Sequence, residues 1–485
     1  MIVGADIGTQ SLKALVMTPE LEVLGEHAID YQPYFPRAGW AEQDPALWEK
    51  ALGPAIAGAL AAGGFRAADV KALGLTGQLD GCVGVGRDGL PVYPCLIWMD
   101  RRADHEIAGI DAELVLERGG VVLDATHLAA KIRWLKAHVP AARQAVKFHV
   151  PVSYILSRLI GRHMIDHATA STSMVYSLAR QAYDRRLLEL FEIGEEELPA
   201  AADAQALAGE LTKAGAHLTG LSEGIAVAVG TGDDFASALG AGLARPGRFI
   251  NVLGTAEVVG VLHHRPLIDR DRLVETHAFP GGQYFVENPG WLSGGALAWF
   301  RDTFRLADFS EFDALAGAVP AGAEGVTFLP AMSGAMAPEW MASARGVFYG
   351  LTPSHGTGHL ARALLEGTAF AMRDVLERVQ AMGIATERLL IAGGGARSRL
   401  WKQIRADLVG LPVETAKHVD SAPIGAALLA AVAGSYARDL KQAAEALRAE
   451  GEAIEPNLGN RGQYDAAYGR YRNLFQSLKP LFGRE

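Results

Sequence analysis

The sequence predicts an α/β protein made of two related halves, and three observations carry that prediction. A short pattern occurs twice, as Gly4-Ala5-Asp6-Ile7-Gly8-Thr9-Gln10 near the start and as Ile250-Asn251-Val252-Leu253-Gly254-Thr255-Ala256 near the middle. In each copy an apolar strand runs into a Gly-Thr turn and out along a second apolar strand (residues 12–17 and 258–262). After each copy, helical spacing alternates with short strand-like runs, the mark of α/β architecture. The chain has 485 residues, too many for one ordinary core. The repeat sets a junction at Ala244-Arg245-Pro246-Gly247 and predicts domains over 1–244 and 245–485.

The elements follow in order. Asp44 before Pro45 is a helix start, with Asp as N-cap and Pro in the first turn, and the helix runs to Gly63-Gly64. Residues 83–92, with Arg87-Asp88-Gly89 between two apolar stretches, predict a hairpin. Residues 359–382 place Leu360, Leu364, Phe370, Val375 and Val379 at helical spacing, with Gly383 as the stop. Leu389–Ala392 is a buried-strand pattern running into Gly393-Gly394-Gly395, and a helix from about 398 to 409 follows.

Composition narrows the function classes. Hydrophobic residues are 49% and charged residues 21%, globular values. The net charge is −10 with no dense Lys/Arg run, which argues against a nucleic-acid partner. Cys82 and Cys95 are too few for a disulfide framework and predict reduced thiols in a cytoplasmic protein. The N-terminus lacks a basic, then apolar, leader, and the longest apolar stretches, such as 424–434, fall short of a membrane span.

Several segments could carry chemistry. Asp6 at a strand end, followed by Gly8, Thr9, Gln10 and Lys13, combines a carboxylate suited to hydrated Mg²⁺ with a turn suited to phosphate oxygens, although a plain hairpin would look the same. The second copy, with Gly254 and Thr255, could face the first across a cleft; Val252 stands where Asp6 stands in the first, so only the first copy can help hold a metal. Asp233-Asp234 follow Gly-rich backbone at a strand end and open a small-residue helix. One of them could accept a proton from an attacking hydroxyl, or both could simply serve the helix N-terminus. The turn at Gly393-Gly394-Gly395 suits the close approach of a ring or ribose but lacks dinucleotide-binding spacing. Gln78-Leu79-Asp80-Gly81 could present acceptors to sugar hydroxyls, or Asp80 could be a turn residue. Trp98 stands beside Asp100-Arg101-Arg102, either against a sugar face or as a half-buried ring beside a surface salt bridge. The pairs His263/His264 and His355/His359 have no third ligand near in sequence, so they read as surface or capping residues.

Taken in order, these segments resemble the FGGY carbohydrate kinases of the actin-like ATPase superfamily. Asp6-Ile-Gly-Thr9 and Leu253-Gly-Thr-Ala256 resemble the two phosphate motifs, Gly39-Trp-Ala-Glu-Gln-Asp-Pro45 a recurrent family stretch, and Gly232-Asp233-Asp234 the catalytic segment. Gly346–Thr352 with Ala361–Gly367 resembles the C-terminal signature, and Gly393–Ser398 with Trp401, Gln403 and Asp407 the adenosine segment. The wording is most similar to xylulokinases, with two departures: Asp80 stands where those enzymes carry His, as an acid does in glycerol kinases, and Ala256-Glu257 replaces Ser-Gly. Thr126 stands where glycerol kinases carry a sugar-contacting Tyr, which counts against glycerol itself.

The resemblance implies two ribonuclease-H-like domains around a cleft, with ATP and Mg²⁺ as cofactors and a small sugar or polyol as substrate. It implies Asp233 as catalytic base and Asp6 and Asp233 as metal ligands. Gln78, Leu79, Asp80, Trp98, Asp233 and Asp234 would contact the acceptor. Gly8, Thr9, Gln10, Lys13, Gly254, Thr255, Gly294, Gly394, Gly395, Arg397 and Ser398 would contact the nucleotide. The expected activity is a xylulokinase-type pentulose kinase, the alternatives being a kinase of another ketose or of a tetritol, or an ATP-binding regulator on the same fold. Enzymes of this shape often pair, so a homodimer is also expected.

Overall fold

Both copies of the repeated pattern fold as antiparallel hairpins that take a parallel third strand. The computed structural model describes residues 1–447 and 453–483. Ile2–Ile7 pairs antiparallel with Ser11–Met17 and parallel with Ala72–Gly77. Gly247–Leu253 pairs antiparallel with Ala256–His263 and parallel with Thr386–Ala392. These hairpins sit inside a seven-stranded and a six-stranded sheet. Central strands such as Ala72–Gly77 are buried throughout, which explains why they read as continuous apolar runs rather than alternating ones. The result is an α/β architecture with helices on both faces of the first sheet, as expected for the actin-like ATPase fold.

The predicted helices form where their caps are. Asp44 accepts a hydrogen bond from the Ala46 amide, Pro45 fills the first turn, and Gly64 ends Pro45–Gly63 in the left-handed region. That helix seals one face of the first sheet with Trp48, Leu52 and Ile56. Thr357–Ala381 and Arg399–Val409 pack in the second core, the latter capped by the Ser398 hydroxyl on the Trp401 amide. The hairpin expected over 83–92 forms as a short one: Gly86 donates to the Leu90 carbonyl and Val92 to the Gly84 carbonyl, each at 2.9 Å, and Val85 bridges Pro91, while Val83–Val85 takes Lys147–His149 as its longer ladder partner. Pro91 and Pro94 have no amide hydrogen to extend a ladder on that side.

The halves exchange helices. Ala422–Ala433, from the second half, packs Ile424, Ala427 and Leu428 with Ile2, Leu15 and Ala72 of the first sheet. Asp233–Gly240, from the first half, packs Phe235 and Leu239 with Ile250, Leu262 and Phe285 of the second. Where the helices cross, backbone meets backbone: a Cβ on Gly240 would lie 2.0 Å from the Ser421 oxygen, and one on Gly425 2.0 Å from the Ala236 oxygen. The apolar stretch at 424–434 is therefore a helix buried between sheets, hydrophobic all round for that reason. The exchange fixes the start of Asp233–Gly240, and with it two acids, against the ends of the first-sheet strands. Cys82 and Cys95 are buried free thiols.

Candidate active site

The first Gly-Thr turn is held from several sides. Gly8 donates to the Ser11 carbonyl at 3.1 Å, closing the hairpin. Its own carbonyl accepts from the Tyr31 hydroxyl at 2.8 Å, and Thr9's from the Gln43 side chain at 2.6 Å. Trp98 Nε1 donates to Thr9 Oγ1 at 3.0 Å. Behind the turn, the Arg102 guanidinium pairs with Glu42 and Asp100 and lies 3.6 Å over the Trp40 ring. The stretch Trp40–Pro45 is thus the turn's scaffold: Trp40 and Glu42 grip Arg102, Gln43 holds the turn, and Asp44 with Pro45 starts a helix. The charged cluster beside Trp98 is buried around Arg102 and Asp100 rather than a surface salt bridge.

Four acids converge beside this turn. Asp6 ends its strand, and its Oδ1 is buried with no hydrogen-bond partner. Burial, then the charge of Asp233, push its carboxyl up to about 7. Asp233 opens its helix behind Gly232, and burial raises it to about 6, restrained by the amides of Asp234 and Leu79 and pushed further by Asp80. Asp234 is raised well above the carboxylate range by burial, then by Asp233 and Asp80. Neither aspartate is the helix's N-cap, a position held by Gly232 without a side-chain bond. Asp80 has a left-handed backbone, φ 53°; its Oδ1 accepts from the Thr172 hydroxyl at 2.7 Å, and the buried Lys131 donates to its carbonyl at 2.6 Å. A strained non-glycine backbone gripped this firmly is typical of a ligand-facing residue.

The other expected acceptor contacts divide. Trp98 is 42% exposed and presents a ring face while its nitrogen is occupied by Thr9. Leu79 is half-buried against Gly232. Gln78 is 1% exposed, and its amide donates to Gln43 at 2.7 Å and Gly8 at 3.4 Å. The Gln78 amide therefore braces the first Gly-Thr turn.

The nucleotide side is equally differentiated. Gly254 donates to the Ala256 carbonyl at 3.0 Å and accepts from Gly294 at 3.1 Å. A Cβ on Gly294 would come within 2.4 Å of the Gly254 oxygen, so glycine is required where this helix start meets the turn. Thr255 and Gln10 are exposed at their turn tips. Lys13 pairs with Asp420 at 2.9 Å, a bridge between the halves. In the glycine run, a Cβ on Gly395 would strike Trp401 at 2.5 Å, whereas Gly394 faces open space. Gly395 serves packing and Ser398 capping, which leaves Gly394 and the exposed Arg397 free to meet a ligand.

Two buried constellations went unread in the sequence. Glu257 is fully buried, its carboxylate accepting from Arg405 at 2.8 Å on each oxygen, from Asn251 at 2.9 Å and from Ser293 at 2.7 Å. His127, 5% exposed, has Nδ1 3.3 Å from Asp80 and Nε2 3.6 Å from Glu275. Burial alone would lower its pKa, yet Asp80 and Glu275 raise it well above the ordinary value. Glu275, which burial alone would raise, is drawn down to about 2 by His127 and then His277. The sequence did carry one signal, an acid at 257 inside an apolar strand pattern, which demands a buried partner.

The expected histidine pairs cap turns: His355 accepts from the Thr352 amide and His359 from the Gly356 amide. Among the described residues no group of three or more His, Cys, Asp or Glu side chains is arranged to hold a metal by itself, and no helix is long and apolar enough to cross a membrane.

Models of the N- and C-terminal domains of the FGGY family of carbohydrate kinases match residues 1–240 and 249–434. A glycerol kinase of Thermococcus kodakarensis is 30% identical over 94% of this chain and 93% of its own. A xylulose kinase of Escherichia coli is 29% identical over 99% of this chain and all of its own length (100%). The crystal structure of a xylulose kinase from Rhodospirillum rubrum superposes with a TM-score of 0.90 at 31% identity, covering 100% of both chains.

Proposed function

Because this chain belongs to the FGGY family of carbohydrate kinases, we propose that it transfers the γ-phosphoryl group of Mg-ATP to a hydroxyl of a small neutral substrate, a pentulose such as D-xylulose being the leading acceptor. The observation that carries the transfer chemistry is the meeting of Asp233 and Asp6 beside the first Gly-Thr turn. The pentulose reading draws support from full-length similarity to xylulose kinases.

In this reading the phosphates lie between the turn of Gly8, Thr9 and Gln10, with Lys13, and the turn of Gly254 and Thr255, backed by Gly294. Gly394 and Arg397 face the adenosine. Asp80, Asp234 and Trp98 meet the acceptor, with Leu79 at its edge. Asp233 takes the proton of the attacking hydroxyl, and a carboxyl near 6 is well matched to that task at neutral pH. Its neighbours' amides keep the carboxylate aimed. Most of the remaining work is alignment and charge stabilisation, since the transferring phosphoryl passes through a loose transition state.

The fit of Mg²⁺ rests on Asp6: a buried carboxylate oxygen without a partner, beside a second acid that raises it, is a site lacking positive charge. Asp6 and Asp233 would hold the ion, which when bound neutralises phosphate charge. Few protein ligands suit Mg²⁺, which keeps waters and phosphate oxygens around it.

A second reading, a tetritol or another polyol or ketose as acceptor, is favoured by Asp80. A carboxylate accepts from hydroxyls and offers no donor to a ketose carbonyl. Gln78, the neighbouring amide, is already engaged with the turn.

The test is ADP release with Mg-ATP over a panel of ketoses and polyols, with Asp233→Ala as control. Turnover on D-xylulose supports the pentulose reading, and turnover on a tetritol or another ketose alone supports the second. Nucleotide binding without turnover on any acceptor would leave an ATP-binding regulator. Asp233→Ala is expected to lower kcat by ~10²–10⁴-fold with ATP binding retained; near-full activity would remove Asp233 as the base.

A further inference from the structure

We propose that His127, clasped between Asp80 of the first half and Glu275 of the second, sets acceptor specificity, acting with Asp80 as a single selector. The inference deepens the proposed kinase reading and rests on there being an acceptor beside Asp80.

The geometry around Asp80 is unusually complete. Its backbone is held in the left-handed region at φ 53°, with its carbonyl gripped by Lys131 at 2.6 Å. One carboxylate oxygen is fixed by Thr172 at 2.7 Å. The other faces His127 Nδ1 at 3.3 Å. That nitrogen is buried and makes no aligned hydrogen bond among the described residues. The side chain of Asp80 is 16% exposed and that of His127 6%. The aspartate is thus the more open of the two, and the imidazole lies buried behind it.

The charges explain why the two residues belong together. Asp80 lies in an acid-rich pocket with Asp233 and Asp234, whose carboxyls its charge helps to raise. The imidazole between Asp80 and Glu275 supplies the opposing charge, and the Asp80 carboxylate offers only acceptors to substrate hydroxyls. Glu275, which also accepts the Val122 amide at 2.7 Å, holds the far ring nitrogen in place from the second sheet. The selector is therefore built from both halves of the chain. A histidine at position 80, as the xylulokinase motif has it, would set two imidazoles face to face here. Positions 80 and 127 must therefore change together, and the pair favours neutral acceptors rich in hydroxyl donors over anionic ones.

The test is a double-mutant cycle of Asp80→Asn, His127→Gln and the double variant, with Glu275→Gln alongside. Steady-state kinetics are measured on the best acceptor of the wild-type enzyme and on ATP. Each single change should lower kcat/KM for the acceptor by ~30-fold or more, mainly through its KM, with the KM for ATP within ~2-fold; the double should be no worse than the poorer single by more than ~3-fold. Losses that multiply would show two independent contacts and overturn the pairing, as would ATP and acceptor KM rising in step. If His127→Gln does not fold, Glu275→Gln decides: an unchanged acceptor KM overturns the proposal. A wild-type enzyme that prefers an anionic acceptor would sink the neutral-substrate reading alone, since the cycle on that acceptor still reports whether positions 80 and 127 are coupled.

Discussion

At the first Gly-Thr turn the acid on the incoming strand, Asp6, has a buried oxygen with no partner; at the second, the acid on the outgoing strand, Glu257, has both oxygens saturated by Arg405, Asn251 and Ser293. The hairpins share a plan, but the cross-strand pair is Asp6 with Lys13 in the first and Val252 with Val258 in the second. A buried polar group without a partner costs stability and persists where function retains it, whereas a saturated one is structural. One turn is thus left electrostatically incomplete, as the proposed cation and phosphate site would require. The other is completed from within the protein, and its ion pair ties the turn to the helix that follows Gly393-Gly394-Gly395.

That contrast makes two opposed predictions. Asp6→Asn should lower kcat by ~10³-fold, about 4 kcal/mol in barrier, while thermal stability holds or rises because an unsatisfied charge is removed. Glu257→Gln should do the reverse. It leaves the Arg405 charge buried without a counter-charge, so unfolding free energy should drop by about 3–5 kcal/mol. What activity survives should show a raised KM for ATP, from displacement of Gly254 and Thr255. Urea melts and ATP kinetics on both variants check this; a destabilised Asp6→Asn protein with normal kcat would invert the assignment.

The parts of this contrast legible in the sequence were local. The repeated hairpin, the Asp44 cap, the helix start near 398 and the acids at strand ends are set within a few residues, so spacing revealed them. The sheets follow from apolar runs too short for helices. The ion pair of Glu257 with Arg405 joins residues 148 apart, and the Glu275 bond to Val122 spans 153; no period encodes such partners. The helix exchange was hidden for the same reason: an apolar stretch at 424–434 announces burial but not which sheet buries it. The bonds of Gln78 to Gln43 and Gly8 were hidden likewise, since they join residues 35 and 70 apart.

Glu275 sharpens the comparison, being a second-sheet acid completed first by His127 and the Val122 amide of the other half and then by His277 of its own. Its carboxyl falls from the ordinary 4.5 to about 2 in the folded protein. A depressed acid contributes stability that is present above its unfolded pKa and lost as pH falls through the folded one, so the window runs from about 4.5 down to about 2. His127, raised by the same contact, contributes below its ordinary 6.5 and loses that contribution as pH rises through its folded value. The shift on Glu275 corresponds to stability on the order of 3 kcal/mol at pH 6. Unfolding curves from pH 6 to 2.5 should steepen below 4.5 in the wild type and flatten in Glu275→Gln. Parallel curves would mean that neither His127 nor His277 carries a charge beside Glu275.

The smallest effect lies at Lys13, whose place opposite the strand-end residue is taken by Val258 in the second hairpin. Its Asp420 partner is 52% exposed, so the pair contributes under about 1 kcal/mol to stability. Asp420 also adds to the negative field at Asp6. If Lys13 turns to phosphate when ATP binds, Asp420 competes with the nucleotide for it. Asp420→Asn should then lower the KM for ATP by ~2–3-fold at low salt, with the gain fading as ionic strength rises, and Lys13→Met should raise it. A rise in KM from Asp420→Asn would mean instead that the pair holds the first turn in place across the cleft. The first turn would then share the second's dependence on a structural ion pair, and the difference between them would reduce to Asp6 alone.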